Sequence, residues 1–502
     1  MASYDLTFPL GGVDRTLSYE LQPNGTTPDA LNVLPFDVYA ERARGGTRLG
    51  MSRFYSEVVA LGTPVRTVFP MVKADGTPVL VYTGNNVAGA ISNGIQYGSG
   101  GGLVALGAGR TCWTVLEDRA YFTSATGTQP YYFDATTGAF AAHANAPASP
   151  LGDVPTNVKI CAGFLSRLWF AGKNTAQRAY YASRVGEPND FQYNDTDEGS
   201  AFFGALDVAG GFNDNLTAII PWYGDYALFC GSSSSTICAG DPEDDGYFYN
   251  VTNRYGCLDS MSWCKGPDKT LYVMTRDGLA LWTSPTDEPE ILSNSKIPQE
   301  FPGIDKDVHE LSMVYDTRQS GIHIFKTRTT YTSGGGHWFY DLRGKGFWPQ
   351  TYSSECEPFS ACQYQDLNST ESSILMGGRN GYIRYFDGTQ ADDDGTNFES
   401  YCFIGPQAHS ESGREGKLKE CSVTMTRTSG DANVSVHPGR NAEDAFNASA
   451  EYDFNVSAGA NDWEDVQVLG VTSFFKIYGT AGTRWGLEGI HMKPKQVGKA
   501  RM

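Results

Sequence analysis

Three kinds of residue group in this chain could in principle support chemistry: ten cysteines, two acid clusters and one glycine-rich segment. No two cysteines form a C-x-x-C pair, and no histidine lies at a zinc-finger offset from a cysteine pair. Ten cysteines in 502 residues are too few for a disulfide scaffold. We therefore predict mostly buried, reduced thiols, with a disulfide between near neighbours such as Cys257 and Cys264 as the alternative.

The acid clusters are DPEDD (241–245) and DDDG (392–395). The second is similar to a calcium loop, in which oxygen ligands at alternate positions precede a glycine. Counting from Gln390, however, position twelve is Tyr401, where such a loop needs a glutamate. We predict solvated turns at both clusters, and no metal site.

The remaining sequence patterns do not indicate an enzyme or a bound cofactor, and we predict neither. The glycine-rich segment GSGGGLVALGAG (98–109) has no helix after it, so it lacks the N–H groups and dipole of a phosphate loop, and a β-turn is expected. Nucleophile-elbow, zinc-protease, Walker and sialidase Asp-box motifs are absent from the sequence. Paired carboxylates assembled from distant segments remain the open alternative, since spacing alone does not reveal them.

Composition indicates strands and tight turns. The chain has 28 Tyr, 27 Phe and 58 Gly, and long runs at helical spacing are missing. No apolar run reaches the roughly 18 residues of a membrane span, and MASYDLTFPLGG does not have the pattern of a secretory signal. The net charge of −19 argues against a protein that grips DNA through excess basic residues. This negative charge is compatible with a conduit that repels the phosphates of DNA, and equally with an acidic protein whose charge only keeps it soluble.

A short aromatic-rich strand that ends in a polar turn recurs along the chain. Its copies are QPYYFDATTG (129–138), RAYYASRVGEP (178–188), SSTICAGDP (234–242), GLALWTSPTDEP (278–289), GHWFYDLRGKG (336–346) and GYIRYFDGTQ (381–390), with a weaker one at VAGAISNG (87–94). Another strand with its own turn precedes most copies, as in RLWFAGKN (167–174). Several short strands per unit, at a period near fifty residues, are typical of a β-propeller.

The sequence thus predicts an all-β protein with a β-propeller of six or seven blades. We place an N-terminal arm or loop at 1–55, the propeller at 56–398, and a C-terminal β-sandwich-like domain with a basic tail at 399–502. The C-terminal segment is separated because its strands, such as CSVTMTR (421–427) and ANVSVHPG (432–439), alternate in polarity and lack the aromatic ending.

One stretch, GFLSRLWFAGKNTAQRAYYASRVGEPNDFQYN (163–194), resembles the tail nozzle, or tail tubular ring, proteins of short-tailed bacteriophages. The resemblance is carried by Gly163, Arg167, Leu168, Trp169, Phe170, Gly172, Tyr180, Tyr181, Ser183, Gly186, Pro188, Asp190 and Phe191. Further similar stretches are ERARGGTRLGMSR (41–53), STICAGDP (235–242), MTRDGLALW (274–282) and DDDGTNFESYCFIGP (392–406). The first of these has Arg48-Leu49-Gly50 where the family usually has a proline before the glycine.

This resemblance implies a structural virion protein that forms a ring, typically a homohexamer, below the portal. Such a nozzle or hub serves as the exit channel for DNA and helps to retain the packaged genome, without sequence-specific binding. The implied partners are other copies of the chain, adaptor or portal-side tail proteins, and tail fibres or spikes. The implied location is the virion tail, after assembly in the host cytoplasm. The alternative is a propeller-type tail protein that binds or degrades carbohydrate, with an axial pocket lined by carboxylates and aromatics.

A closed ring built from one chain needs two different surface patches on each copy. On this acidic chain the basic segments stand out. We therefore expect subunit contacts at two sets of basic residues, namely Arg42, Arg44 and Arg48 in the arm and Lys493, Lys495 and Arg501 in the tail.

Overall fold

The computed structural model describes residues 4–496, apart from 38–41, 61, 86, 93, 98–105, 107–108, 127–128, 145–151, 195, 207–211, 213, 331–335, 368–371, 411–413 and 481. The regular secondary structure of the described chain is almost entirely β-strand. It has short 3₁₀ helices at Tyr19–Leu21, Pro267–Lys269 and Ser293–Ser295.

The first 53 residues contribute strands to both sheets of the C-terminal domain and to the last sheet of the propeller. They are β1 (Tyr4–Leu6), β2 (Ala30–Leu31), β3 (Val33–Leu34), β4 (Gly46–Thr47) and β5 (Gly50–Arg53). Strands β3 and β4 pair with each other, whereas the other three join sheets formed mainly by later residues.

Seven antiparallel sheets follow, each built as a meander in sequence order. Blade 1 comprises β6 (Thr67–Val72), β7 (Pro78–Gly84), β8 (Val87–Ser92) and β9 (Ile95–Tyr97). Blade 2 comprises β10 (Thr111–Leu116), β11 (Arg119–Ser124), β12 (Tyr131–Asp134) and β13 (Ala139–Ala142). Blade 3 comprises β14 (Ile160–Phe164), β15 (Arg167–Lys173), β16 (Ala176–Ala182) and β17 (Phe202–Ala205). Blade 4 comprises β18 (Ala218–Pro221), β19 (Tyr226–Cys230), β20 (Ser235–Ala239) and β21 (Tyr247–Thr252). Blade 5 comprises β22 (Trp263–Lys265), β23 (Leu271–Thr275), β24 (Gly278–Trp282) and β25 (Glu290–Ile291). Blade 6 comprises β26 (His309–Asp316), β27 (Gly321–Arg328), β28 (His337–Asp341) and β29 (Gly346–Gln350). Blade 7 begins with three strands, β30 (Pro358–Tyr364), β31 (Ser373–Gly378) and β32 (Ile383–Asp387).

The predicted β-propeller is confirmed, and it has seven blades. Every copy of the aromatic repeat, including the weaker one at 87–94, contains the third strand of a blade. The preceding strand of each repeat is the second strand, which lies between two hydrogen-bonded neighbours and packs on both faces against adjacent blades. All seven residues of β7 are therefore buried, and this strand shows no period-two alternation.

Blade 7 is completed by the N-terminal segment. Strand β5 pairs antiparallel with β32, with Met51 opposite Phe386. This is the position that the fourth strand takes in the other blades, so the ring closes only when residues near the start of the chain meet residues near 385. Two short strands, β33 (Asp392–Asp393) and β34 (Thr396–Asn397), extend the same sheet beyond β5.

The C-terminal domain is a two-sheet sandwich. Its strands are β35 (Tyr401–Ala408), β36 (Gly416–Met425), β37 (Ala432–Gly439), β38 (Tyr452–Val456), β39 (Glu464–Gly470), β40 (Thr472–Gly479) and β41 (Leu487–Gln496), with one helix, α1 (Ala442–Asn447). One sheet has the order β1-β41-β36-β39 and the other β2-β35-β40-β37-β38. The N-terminal segment thus supplies an edge strand to each sheet of the sandwich as well as the closing strand of the propeller.

A continuous apolar core joins the sandwich to blades 5 and 6. Phe8 stacks on Trp348 of blade 6 with 5.4 Å between ring centroids, and Trp485 of the sandwich lies 6.4 Å from Phe8. Arg484 in turn donates a hydrogen bond of 2.8 Å to the backbone oxygen of Asp387 at the end of β32. The sandwich is therefore fixed against blades 6 and 7.

Candidate functional surfaces

The innermost strands of all seven blades surround an axial channel, which contains a cavity of about 430 Å³. Its wall is mainly apolar or thiol-bearing and includes Trp113, Trp263, Met313 and Cys362. The described lining residues include no carboxylate. Lys265 is the one lysine among them, and burial lowers its pKa. This part of the channel therefore has no acid–base pair of the kind that glycosidic cleavage needs.

Hydroxyl side chains of the innermost strands connect adjacent blades. Thr114 Oγ1 of blade 2 accepts from the backbone nitrogen of Gly163 in blade 3 at 2.7 Å. At the closure of the ring, Ser360 Oγ of blade 7 donates to the backbone oxygen of Val65, just before blade 1, at 2.9 Å. Because each bond joins two blades, these side chains stabilise the ring.

The two mouths of the channel differ in charge. A blade of four antiparallel strands returns the chain to the face where it began, so every innermost strand starts at the same face, which we call the entry face. Three basic residues, Arg66, Arg110 and Lys159, and one acidic residue, Glu357, directly precede innermost strands there. On the opposite or far face, the turns after innermost strands carry more acidic than basic residues: Asp75, Glu117, Asp118, Asp225, Asp268 and Asp366 against Lys73, Lys269 and Arg318.

Two of the predicted contact residues, Arg42 and Arg44, line one groove of about 760 Å³ on the sandwich, together with Arg427. Arg44 is held by Asp37, whose Oδ2 lies 2.5 Å from its Nε, and by Glu488. Arg42 and Arg427 are exposed and form no ion pair with a described residue. We call this surface the arginine groove. Its third arginine was missed by the sequence analysis because 427 lies far from the arm in the sequence.

The prediction that Arg48 contributes to a surface patch is wrong. Its side chain is 1% exposed and forms a buried ion pair with Asp393, 2.7 Å from Nη2 to Oδ2. Its guanidinium also lies 3.7 Å from the ring centre of Phe398. The motif GGTRLG places this arginine at the start of β5, where it stabilises ring closure instead of contacting another subunit.

Two of the three predicted tail residues lie within the sandwich. Lys493 and Lys495 both lie on β41, which pairs with β36 inside the sandwich. Lys493 Nζ is 2.8 Å from Glu420 Oε2 and 3.6 Å from the ring centre of Trp463, so an acidic partner within the chain already neutralises it. Lys495 is exposed. Arg501 lies outside the described residues.

The expected solvated turn is found at 242–245, where Asp244 and Asp245 are exposed, whereas other carboxylates of the two clusters are engaged in ion pairs. Asp393 is fully buried, and Asp394 accepts hydrogen bonds from Arg53 at 2.8 Å and from Arg384 at 2.8 Å. Asp241 accepts from Arg167 Nε, also at 2.8 Å. These carboxylates join strands to one another, and a calcium role for the DDDG segment has no support in this arrangement.

Arg167, within the stretch 163–194, stabilises the backbone of its own blade. Its buried guanidinium donates to the backbone oxygens of Ser183 at 2.8 Å and Ser200 at 2.6 Å, while Trp169 lies in the core between blades. Gly172 has a φ of 69° at a bulge in the pairing of β15 with β16, a conformation that favours glycine. The described motif positions are thus core and turn residues.

All ten cysteines are described, buried and free, which confirms the predicted thiols over the alternative disulfide. Burial raises the pKa of most of them, that of Cys257 to about 12. Cys112 and Cys161, in adjacent innermost strands, each donate to the other's backbone oxygen at 3.3 Å. These thiols therefore act as small core side chains.

A second exposed patch lies at the outer edge of blade 4. It combines Tyr247 on β21, which is 60% exposed, with the exposed Asp244 and Asp245 in the turn before this strand. We call it the acidic–aromatic patch. Composition had no way to reveal it, because most aromatics in this chain are buried.

Within the described ranges, no cluster of three or more His, Cys, Asp or Glu side chains is arranged to hold a metal ion. The same ranges contain no helix of the length and hydropathy that a membrane span requires. Most of the glycine-rich segment 98–109, where a β-turn was predicted, lies outside the described residues.

No family model matches the sequence, and no curated protein does. Solved structures give low-identity likenesses. The extracellular domain of a putative hybrid two-component system from B. thetaiotaomicron is 11% identical, with a TM-score of 0.43 over 76% of this chain and 46% of that one. The extracellular domain of a putative one-component system from the same organism is 12% identical, with a TM-score of 0.43 over 76% and 44% of the two chains. This chain thus spans less than half the length of either structure.

A catalytically inactive virginiamycin B lyase from Staphylococcus aureus with quinupristin is 12% identical, with a TM-score of 0.42 over 67% of this chain and 98% of the lyase. At these identities the comparisons concern the fold alone.

Proposed function

We propose that this chain is a non-enzymatic structural subunit that assembles head to tail into a ring, as the nozzle or hub of a short phage tail. In this role the ring conducts the genome during ejection and helps to retain it beforehand. The proposed localisation is the virion tail. The resemblance in 163–194 supports this assignment, and six copies per ring are what that resemblance implies.

The observation that carries the proposal is the position of two unlike patches on one body. The arginine groove lies on the sandwich, which is fixed against blades 6 and 7. The acidic–aromatic patch lies on the outer edge of blade 4, on a different side of the propeller from those blades. Opposite charge on different sides suits a heterologous interface, in which each copy offers one patch to the neighbour before it and the other to the neighbour after it.

The character of the channel supports a structural role. Its described wall is mainly apolar, and its hydroxyl at Thr114 is engaged in a bond between blades. Carboxylates paired with fully buried arginines, such as Asp393 and Asp241, hold strands together. In this proposal the portal-side adaptor and the fibres or spikes bind the outer surfaces of the ring, and DNA passes through the ring's own lumen.

Electron microscopy of the purified full chain tests the proposal. We expect rotationally symmetric rings, with mass photometry giving one integral multiple of the 54.6 kDa chain. Particles that stay monomeric over the accessible concentration range, alone and with phage adaptor protein, would contradict it.

The carbohydrate-active alternative makes a different prediction. It requires polysaccharide binding or cleavage by the monomer, and an axial pocket with carboxylates, which the described channel wall does not supply. A glycan array combined with a polysaccharide-degradation assay distinguishes the two, because a strong hit on the monomer favours the alternative.

A further inference from the structure

A separate cavity of about 170 Å³ lies at the entry face, beside the mouth of the axial channel. Ser260 lines both this cavity and the channel, so the two adjoin. The charged residues of its wall are Arg110, Lys159, Lys306 and Asp259, which gives three cations against one carboxylate. We propose that this cavity is a binding site for a phosphate group, either free or at the end of a nucleic-acid strand.

Arg110 is the buried donor of the site. Its side chain is 6% exposed, and its one ion pair within the described chain is Nη1 to Asp259 Oδ2 at 3.2 Å. The Nε atom is buried and has no hydrogen-bond partner among the described residues. A buried guanidinium N–H without an acceptor is costly, and an oxyanion in the cavity would supply that acceptor.

The two lysines have no acidic partner. Neither Lys159 nor Lys306 forms an ion pair with a described residue. Asp305 and Asp307 flank Lys306 in the sequence but do not line the cavity. Both lysines line the cavity, Lys159 half-buried and Lys306 exposed.

Two arginines near the cavity, Arg66 and Arg379, are each paired with a carboxylate. Arg66 precedes the innermost strand of blade 1 and pairs with Glu310. Burial, followed by repulsion from Arg379 and Arg110, lowers the pKa of Arg66 to about 10. The repulsion means that the positive charges in this region are close enough to oppose one another, and a bound anion would relieve it.

The polar wall suits a small oxyanion. Asn215, Thr217 and Gln177 add neutral hydrogen-bonding groups to the cations. A water molecule takes up about 30 Å³ in the liquid, so a cavity of this size admits a tetrahedral phosphate group but not a nucleic-acid duplex. The inference does not depend on ring formation, since all these residues belong to one chain.

The test uses the purified full chain and two probes. Isothermal titration calorimetry measures the binding of inorganic phosphate. Fluorescence anisotropy compares a single-stranded oligonucleotide that carries a 5′-phosphate with the same strand ending in a 5′-hydroxyl. The variant is Lys159→Gln with Lys306→Gln, which removes two charges without disturbing the buried Arg110. The matched control is Lys73→Gln with Lys345→Gln, two lysines in turns on the far face.

We expect saturable phosphate binding that weakens about tenfold or more in the entry-face variant and stays unchanged in the control. Preference for the 5′-phosphorylated strand, lost in the same variant, would identify a nucleic-acid end as the source of the phosphate. Binding of inorganic phosphate alone would identify the free ion. No saturable binding of either probe, or equal loss in variant and control, would overturn the proposal. Rings can form in either case, so this result is separable from the proposed function.

Discussion

Arg48 and Asp393 are 345 positions apart in the sequence and form a two-pronged ion pair in the interior, with Nη1–Oδ1 at 2.9 Å and Nη2–Oδ2 at 2.7 Å. Arg48 Nε also donates to Asn32 Oδ1 at 3.0 Å. This pair fixes the N-terminal segment to the end of blade 7, next to the strand that closes the propeller.

Replacing Arg48 with Met should destabilise the protein by about 3–5 kcal/mol, because Asp393 is left buried without its partner. The matched control is Arg53→Met. Arg53 pairs with the neighbouring Asp394 but is 42% exposed, so its loss should cost less than about 1 kcal/mol. Urea unfolding of the three proteins measures the difference, and equal midpoints for the two variants would contradict the assigned role of the buried pair.

The cysteines should be inert in the folded protein. All ten are buried, and burial raises the pKa of thiols such as Cys238 and Cys257 to about 12. We therefore expect an aromatic disulfide reagent to titrate no thiol in the native chain at pH 7 or pH 9, and all ten in denaturant. A thiol that reacts at once under native conditions would show that the surrounding blade opens.

Stability should fall with acid through His143. Burial lowers its pKa from the usual 6.5 to about 4, so the unfolded chain takes up a proton between these values while the folded chain resists it. The stabilisation is complete above pH 6.5 and is lost as the pH falls toward 4, with a loss of about 2 kcal/mol between pH 7.5 and pH 5.

The control for this pH effect is His143→Phe, which keeps an aromatic ring beside Tyr121 and Phe170. Because burial also lowers the pKa of His337 and His409, the wild-type protein should lose more than this amount in total. Urea unfolding at the two pH values should give a shallower pH dependence for the variant. Identical slopes would show that His143 is not the group that titrates.

Charge reversal in the arginine groove should disrupt self-association. Arg42→Glu with Arg427→Glu should raise the dissociation constant of the oligomer about tenfold or more, because like charges then face each other across the interface. Reversing the opposite patch as well, by Asp244→Lys with Asp245→Lys, should restore part of the affinity. Analytical ultracentrifugation at low salt measures both effects.

The control for charge reversal is Arg276→Glu with Arg440→Glu, two exposed arginines that do not line the groove. It changes the net charge equally and should leave the oligomer intact. If the groove variant also assembles normally, the arginine groove is not a subunit contact.

Features that depend on residues close together in the sequence were the ones that could be predicted. The repeat at 87–94 and its six stronger copies predicted the third strands correctly, because each blade is a meander whose pairings join neighbouring segments. The buried thiols were also predictable from cysteine spacing and composition. Arg66, Arg110 and Lys159 could have been noticed as basic residues directly before innermost strands, but only if the strand order within a blade were known.

The sequence by itself determined the class of fold, the repeating unit and the change to a different β-domain near residue 399, since alternation and turn residues are local properties. Tertiary structure alone decided that β5 closes blade 7, that Arg48 is buried against Asp393, and that Arg42 and Arg427 share one groove. These pairings join segments hundreds of residues apart. Their free energy comes from burial and from charge partners that exist only after the chain has folded.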